Sequence, residues 1–427
     1  MNKFSCFLLN CKIYAGDFLH KNLGSVCNKW SLIITLVIAG GCFEINTNAI
    51  AGEHIEVVRD VVLSGVKSAV GLGINQIPNQ DGYIVTGSIG GAQAWATRLD
   101  AQGQQKWSYL MPRDAPPDDG HYHLLWHATT YSSAIVLKDG STILCGFKVD
   151  EEDNHQTQFG LLTHIDKSGN LLNQQLLKPQ KNQLPLNYLF QSAPWNDGFI
   201  IMGSSTRNKE YFTWLVALDA KGNLLWEKLL PTQTHVLQKR TFLIMKDGDL
   251  VMTNPISLLS EKGNGMNYFT EITRIQPDGV IKANRRLAGQ FQLVRQPNPA
   301  YAIRLVPVEL KKSEMQLLTL HDDLSEAEYL TSKDKVGIAI PQALELPDHS
   351  IVLVGATISN RGAALMVHFN PDSRQFQSYT FKPVSQSWAV GDGLATGKVG
   401  EWIAIRQDQE PEGNSSIVFS FANIINH

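Results

Sequence analysis

Three histidines, His121, His123 and His127, fall within seven residues in the stretch RDAPPDDGHYHLLWH, which also carries Asp114, Asp118 and Asp119. A second acidic run, DEEDNHQTQ, gathers Asp150, Glu151, Glu152, Asp153 and His155. Imidazole and carboxylate groups together bind zinc and other divalent cations. His121, His123, Asp118, Asp119, Asp150 and Asp153 are therefore the candidate metal ligands, with a divalent metal ion as the candidate cofactor. Their spacing matches no zinc motif and HExxH is absent, so the competing reading is a solvated polar loop with an acidic tip. Other chemistry finds less footing. Gly87-Ser88-Ile89-Gly90-Gly91 lies between two strand patterns, whereas a phosphate-binding glycine loop needs a helix after it. No Gly-x-Ser-x-Gly elbow is present to anchor a hydrolase triad, and no catalytic residue is assigned.

The elements that must carry those loops are read from the stretch Asn196 to Leu230. An Asp-Gly turn is followed by the apolar run FIIMGSS, then by FTWLVALD, the polar turn AKGN and LLWEKLL. With the strand before the turn, this is a four-stranded antiparallel meander of about 45 residues, the unit of a propeller blade. The turn recurs at Asp81-Gly82, Asp139-Gly140, Asp197-Gly198 and Asp247-Gly248, each before a β run. Degenerate copies follow at Asn298-Pro299, Asp348-His349 and Val399-Gly400. A period of about 50 residues over these copies marks an array of supersecondary units. The second half repeats as WATRLDAQGQQKWSYL, LLTHIDKSGNLLNQQLL, WLVALDAKGNLLWEKLL and EITRIQPDGVIKANRRL, with looser copies from Leu317 and Met366.

The last copy ends at SSIVFSFANI without room for a fourth strand, and HIEVVRDVVLSG near the start has the fourth-strand pattern. The expected fold is all-β: a propeller of seven four-stranded blades closed by an N-terminal strand, which removes exposed sheet edges. Trp95, Trp107, Trp214 and Trp226 stand at matched repeat positions and are expected to pack between blades. The Asp/His loops fall on the face opposite the tight turns, next to each other.

The repeat resembles those of bacterial secreted and lipoprotein propellers, with Asp-Gly, a short β run and Gly, and later Leu-Asp-x-x-Gly-x-x-x-Trp. These are related in pattern to the pyrroloquinoline-quinone-type repeat. Asp100 to Gly103 with Trp107, and Asp219 to Gly222 with Trp226, are the best copies. The resemblance implies a propeller with an envelope or secreted address, and no particular activity. A quinone-dependent dehydrogenase of this type would require calcium ligands at the channel, a tryptophan on the quinone and often an adjacent cysteine pair. No such pair lies beyond residue 51.

Bulk composition agrees with this reading. The chain has 427 residues, 18% charged and 43% hydrophobic, with 34 glycines. A net charge of −3 offers no general attraction for nucleic acid, and none is expected as a partner. Lys29 precedes WSLIITLVIAGGCF, an apolar run of about 14 residues, the length of a signal-peptide core rather than a membrane span. Residues 1–51 are read as a signal or targeting region and 52–427 as one propeller domain. Ala49-Ile50-Ala51 is the preferred cleavage site. Ala39-Gly40-Gly41-Cys42 resembles a lipoprotein box, which would place a lipid on Cys42, but Ala39 stands where leucine is usual. An uncleaved anchor is a third reading. Residues 1–28 are cysteine-rich with both charges, unlike a signal n-region, and read as an over-long start. Cys145 is then the lone cysteine, in the strand pattern STILCGF, and reads as a buried hydrophobe.

The expected protein is a non-catalytic binding or scaffold protein of the bacterial cell envelope, periplasmic or secreted, using one propeller face to hold an envelope or secreted protein or a surface ligand. The alternative is a quinone- or metal-dependent enzyme with its site at the channel mouth.

Overall fold

The computed structural model describes residues 54–63, 69–77, 82–90, 93–112, 129–152, 155–179, 186–207, 210–232, 241–259, 265–296, 299–357, 363–381, 389–396, 401–409 and 415–425. Among them there is no helix. Strand β1 (His54–Val62) precedes a meander of β2 (Ala69–Gln76), β3 (Tyr83–Ile89), β4 (Gln93–Leu99) and β5 (Gln105–Leu110). Next come β6 (Thr129–Val136), β7 (Thr142–Glu152), β8 (His155–Ile165) and β9 (Leu171–Leu177). They are followed by β10 (Leu186–Trp195), β11 (Gly198–Arg207), β12 (Glu210–Asp219) and β13 (Leu224–Thr232). The fourth meander is β14 (Phe242–Ile244), β15 (Leu250–Leu259), β16 (Met266–Ile275) and β17 (Ile281–Ala288). Then run β18 (Phe291–Leu293), β19 (Ile303–Pro307), β20 (Glu309–Leu320), β21 (Glu326–Glu345), β22 (Ile351–Thr357), β23 (Ala364–Asn370) and β24 (Gln375–Thr380). The chain closes with β25 (Ala389–Thr396), β26 (Glu401–Gln409) and β27 (Ser415–Ile425).

These strands form a β-propeller arrangement of four-stranded blades, in five hydrogen-bonded sheets of four, eight, four, seven and four strands. Five sheets thus stand where seven separate blades were expected from the repeats, and two connections account for the larger sheets. β8 and β10 are joined by one parallel pair, Leu186 with Gln158, which fuses two meanders. β21 runs unbroken for 20 residues, pairing β20 on one side and β22 on the other. β1 pairs antiparallel with β27, from His54–Ile425 to Val62–Val418.

The second and third strands of a meander are apolar almost continuously, because both their faces are covered by neighbouring sheets. β3 (YIVTGSI) is buried at six of its seven positions, whereas the outer strand β9 is exposed at six of seven. Apolar layers separate successive meanders. Trp214 and Leu189 pack with Ile143 and Cys145, and Trp107 and Tyr109 with Tyr131 and Leu144. Trp95 lies in the layer that joins β2–β5 to β25–β27 through Phe419 and Phe421. Burial of Cys145 pushes its thiol up to about 12, so it is inert at neutral pH. Trp195 and Trp402 are also buried, while Trp126 and Trp388 lie outside the described residues.

Five of the inner strands carry a β-bulge, whereas β14 and β18 pair without one. β2, β6, β10, β21 and β25 each slip by one residue against the next strand. A bulge bends and twists a strand, which suits strands that converge at their inner edge. It also explains the glycine in four of the β runs, Gly87, Gly146, Gly203 and Gly355, each opposite a bulge. Opposite the bulges, a Cβ at Gly146 would lie 1.8 Å from the Thr130 carbonyl oxygen, and one at Gly203 would lie 2.0 Å from that of Tyr188. Gly203→Ala is expected to cost about 3 kcal/mol in denaturant unfolding, because backbone rather than a side chain must move. A cost under about 0.5 kcal/mol would show that the bulge relaxes freely.

One buried histidine makes the fold pH-sensitive. His368 in β23 is 2% exposed, stacks on Trp402 at 6.3 Å, and has an Nε2 with no hydrogen-bond partner. Burial lowers its pKa below 6.5, only partly offset by Asp348. The unfolded chain therefore takes up this proton at a higher pH than the folded one. Stability is whole above about pH 6.5 and declines as pH falls from there toward the folded value. His368→Gln is expected to flatten the dependence of Tm on pH between about 6.5 and 5. An unchanged slope would assign it to other groups.

Candidate functional site

The two tight-turn sets of each meander lie on one face, and their backbones follow from local chemistry. Asp100 Oδ1 accepts the Gln102 and Gln104 amides at 3.0 and 2.8 Å, and Asp166 and Asp219 make the same pair of bonds two and four residues on. Gly103, Gly169 and Gly222 take φ of +81°, +94° and +86° in these turns. Bonds from Asn170 and Asn223 hold Asp166 and Asp219 below the ordinary carboxylate range. His349 breaks the pattern. It occupies the position that glycine fills in the Asp-Gly turns and adopts φ +67°. A non-glycine residue there stores backbone strain of roughly 1 kcal/mol and points to a use for its side chain.

The His349 ring meets two partners, Glu345 at the start of its own turn and Tyr301 from the preceding meander. Its Nδ1 lies 3.0 Å from Glu345 Oε1 and 2.7 Å from the Tyr301 hydroxyl. Tyr301 donates to Glu345 Oε1, and Arg304 Nη1 donates to the same oxygen at 2.5 Å. The Glu345 side chain is wholly buried, and its Oε2 and the Arg304 Nε lack hydrogen-bond partners. Burial, then the bond and charge of Glu345, raise the Tyr301 pKa far above the usual phenol value. Parallel bridges Met245–Ala300 and Arg295–Leu344 set the turns side by side. Gln296 fixes the Tyr301 turn by accepting the Tyr301 and Ala302 amides at 3.1 and 3.2 Å.

Tyr301 forms one wall of an open recess of about 520 Å³, also lined by Leu320, His321, Asp322, Asp323 and Ser325. Asp322 in its wall is held by Arg274, whose side chain is 2% exposed. Arg274 donates to Asp249 Oδ2 at 2.7 Å, to Asp247, and to the Asp322 carbonyl at 2.6 Å. Lys282 Nζ lies 2.9 Å from Asp249 Oδ2. Burial would raise the Asp247 carboxyl, but the Asp249 amide and the Arg274 guanidinium outweigh it and hold it low. Tyr301, Asp322, Asp323 and Ser325 thus enter the recess already engaged in hydrogen bonds or ion pairs. It holds no cysteine, and its serine, Ser325, bonds Asp323.

Asp118, Asp119, His121, His123 and Asp153 fall outside the described residues. Asp150 pairs with Thr157 near the end of the β7–β8 hairpin, with its side chain outside the description. Among the described residues no group of three His, Cys, Asp or Glu could hold a metal ion. Sequence reasoning missed the Tyr301 cluster. Its signal was the replacement of glycine by His349 in a degenerate turn.

No family model matches the chain, and no curated protein matches it. Solved structures do. A fungal alcohol oxidase in complex with copper is 13% identical, with 87% of this chain and 76% of that one covered, at a TM-score of 0.50. Drosophila Semaphorin 2a is 7% identical over 86% of this chain and 76% of its own, at 0.48. The Dos1 propeller is 10% identical over 79% and 74%, at 0.43. At such identities the likeness concerns the fold alone.

Proposed function

We propose that this chain is a non-catalytic binding protein of the bacterial cell envelope, holding a protein or surface ligand on the turn face of a closed, seven-bladed propeller. Seven blades follow when the eight-stranded sheet is read as two and the seven-stranded sheet as two that share β21. The apolar layers support that count: seven clusters among the described residues, each drawing on two successive meanders. Closure is supported by β1, which pairs β27 while Arg59 donates to the Ala101 carbonyl in the β4–β5 turn at 3.2 Å.

The recess beside Tyr301 carries the binding reading. Tyr301, Asp322, Asp323 and Ser325 are each tied to a partner, while Asp322 in its wall is 85% exposed and His349, bonded to Tyr301, is 62% exposed. Groups so engaged orient a ligand rather than exchange protons with it. The extracytoplasmic address rests on the apolar run after Lys29, which makes another envelope or secreted protein the partner, with membrane attachment only through Cys42 or an uncleaved anchor. The test is capture from envelope extracts by immobilised residues 52–427, beside Tyr301→Ala and Asp322→Ala/His349→Ala variants of unchanged Tm. A species retained by the parent and lost about tenfold from the variants is expected, equivalent to roughly 1.4 kcal/mol. Equal retention would remove this face from the function. Stoichiometric divalent metal that disappears when His121, His123, Asp150 and Asp153 become alanine would instead favour the metal-dependent enzyme.

A further inference from the structure

Arg295 follows β18 and links three innermost strands. Its backbone amide donates to the Ala343 carbonyl at 2.9 Å, beside the parallel bridge to Leu344 in β21. Its side chain continues past β21, donating through Nη1 to Gln342 Oε1 at 3.2 Å and to the Leu394 carbonyl in β25 at 2.8 Å. A side chain that touches the inner strands of three successive meanders lies at the inner edge of the ring.

Other lateral links at this level are neutral. Asn75 accepts the Ala134 amide at 3.1 Å, and Gln191 exchanges two bonds with Phe242, at 3.1 and 3.2 Å. A glutamine or asparagine therefore suffices to staple one inner strand to the next. Arg295 adds a full positive charge, and no carboxylate among the described residues pairs with it. Arg274, which is buried and makes several contacts, is by contrast neutralised by Asp247 and Asp249. Arg295 retains some surface, yet protein surrounds it closely enough that desolvation lowers its pKa. An unpaired charge in such a place is costly unless a counter-charge arrives. Its Nε and Nη2 donors take no partner among the described residues, leaving one side of the guanidinium fork free. That fork matches two oxygens of a carboxylate or phosphate.

We propose that Arg295 is an anion-binding site at the inner edge of the propeller, taking a carboxylate or phosphate group through its free donors. The proposal rests on the closed-ring reading for its place at the axis, but not for its contacts. Calorimetric titration of residues 52–427 at constant ionic strength, with inorganic phosphate in one arm and succinate in the other, tests it. Saturable binding in one arm identifies the anion class. Arg295→Gln is expected to weaken that binding at least tenfold, and Arg295→Lys, which keeps the charge but not the fork, to fall between the two. A surface control, Arg286→Gln, is expected to bind as the parent does. Equal binding by the folded Arg295→Gln variant, or no saturable binding in either arm, overturns the site. Failure of the ring reading would appear instead as unchanged stability on removal of β1.

Discussion

A chain beginning at residue 64 is expected to lose its cooperative unfolding transition and to scatter light on concentration. The loss follows from what β1 covers. Ile55 and Leu63 are buried at 7% and 6% exposure, in the two layers on either side of the last sheet. Val57 and Val61 pack against the same layers, and Arg59 lies over the Phe421 ring at 3.8 Å. Full burial of one such aliphatic side chain contributes about 1.5–3 kcal/mol. Two of them, with two half-buried valines and a strand of hydrogen bonds, approach the 5–15 kcal/mol that holds a typical domain together. Removal also bares the edge of β27, whose sequence SSIVFSFANII is apolar and β-branched, and such an edge templates association. A synthetic peptide of residues 54–63 added in trans is expected to restore the transition. Circular dichroism with light scattering reads both effects. An unchanged Tm in the truncated chain would show that the last sheet stands as three strands and that closure contributes nothing.

The second large effect is expected at Arg274. Arg274→Met is expected to cost about 3–5 kcal/mol, because it strands the Asp249 carboxylate, only 4% exposed, without its guanidinium. Lys282 still reaches Asp249, which places the value toward the lower end. Asp247 is 46% exposed, so solvent screens its share and little of the loss comes from there. The double variant Arg274→Met/Asp249→Asn is expected to recover part of the stability, since neither charge is then left buried alone. The coupling between the two is the quantity to measure, in urea at low and high salt. Additive costs would mean that the pair does not act as a unit. A strong salt dependence would mean that it is wetter than its geometry implies.

Much of this architecture could be read along the chain, because the chemistry that sets it is local. An aspartate accepting amides two and four residues ahead needs only its own turn, so Asp100, Asp166 and Asp219 announce three hairpins by sequence alone. Cys145 and the matched Trp95 and Trp214 could be placed in the interior because their runs are apolar throughout, as strands covered on both faces must be. The loops with the richest chemistry in sequence, around His121 and Asp153, drew attention by composition. The cluster that the structure assembles is built from residues ordinary where they stand, save His349 in the place of a turn glycine.

Tyr301, Arg304, Glu345 and His349 share no local motif, and neither do Arg274 and Asp322. Their separations do share a rule. Tyr301 and His349 are 48 residues apart, as are Arg274 and Asp322, while Trp226 and Pro277 are 51 apart and Trp195 and Gly248 are 53 apart. Each is close to one repeat, because successive meanders set equivalent turns side by side. The repeat period thus determined which positions could meet. It did not determine which would bond, since that depends on the lateral offset and bulge of each sheet, which shift side chains by ångströms that a period cannot encode. Arg295 shows the limit most clearly. Its bond to Leu394 spans 99 residues, about two repeats, and only the convergence of inner strands in three dimensions brings a charge from one meander to the carbonyl of the next but one.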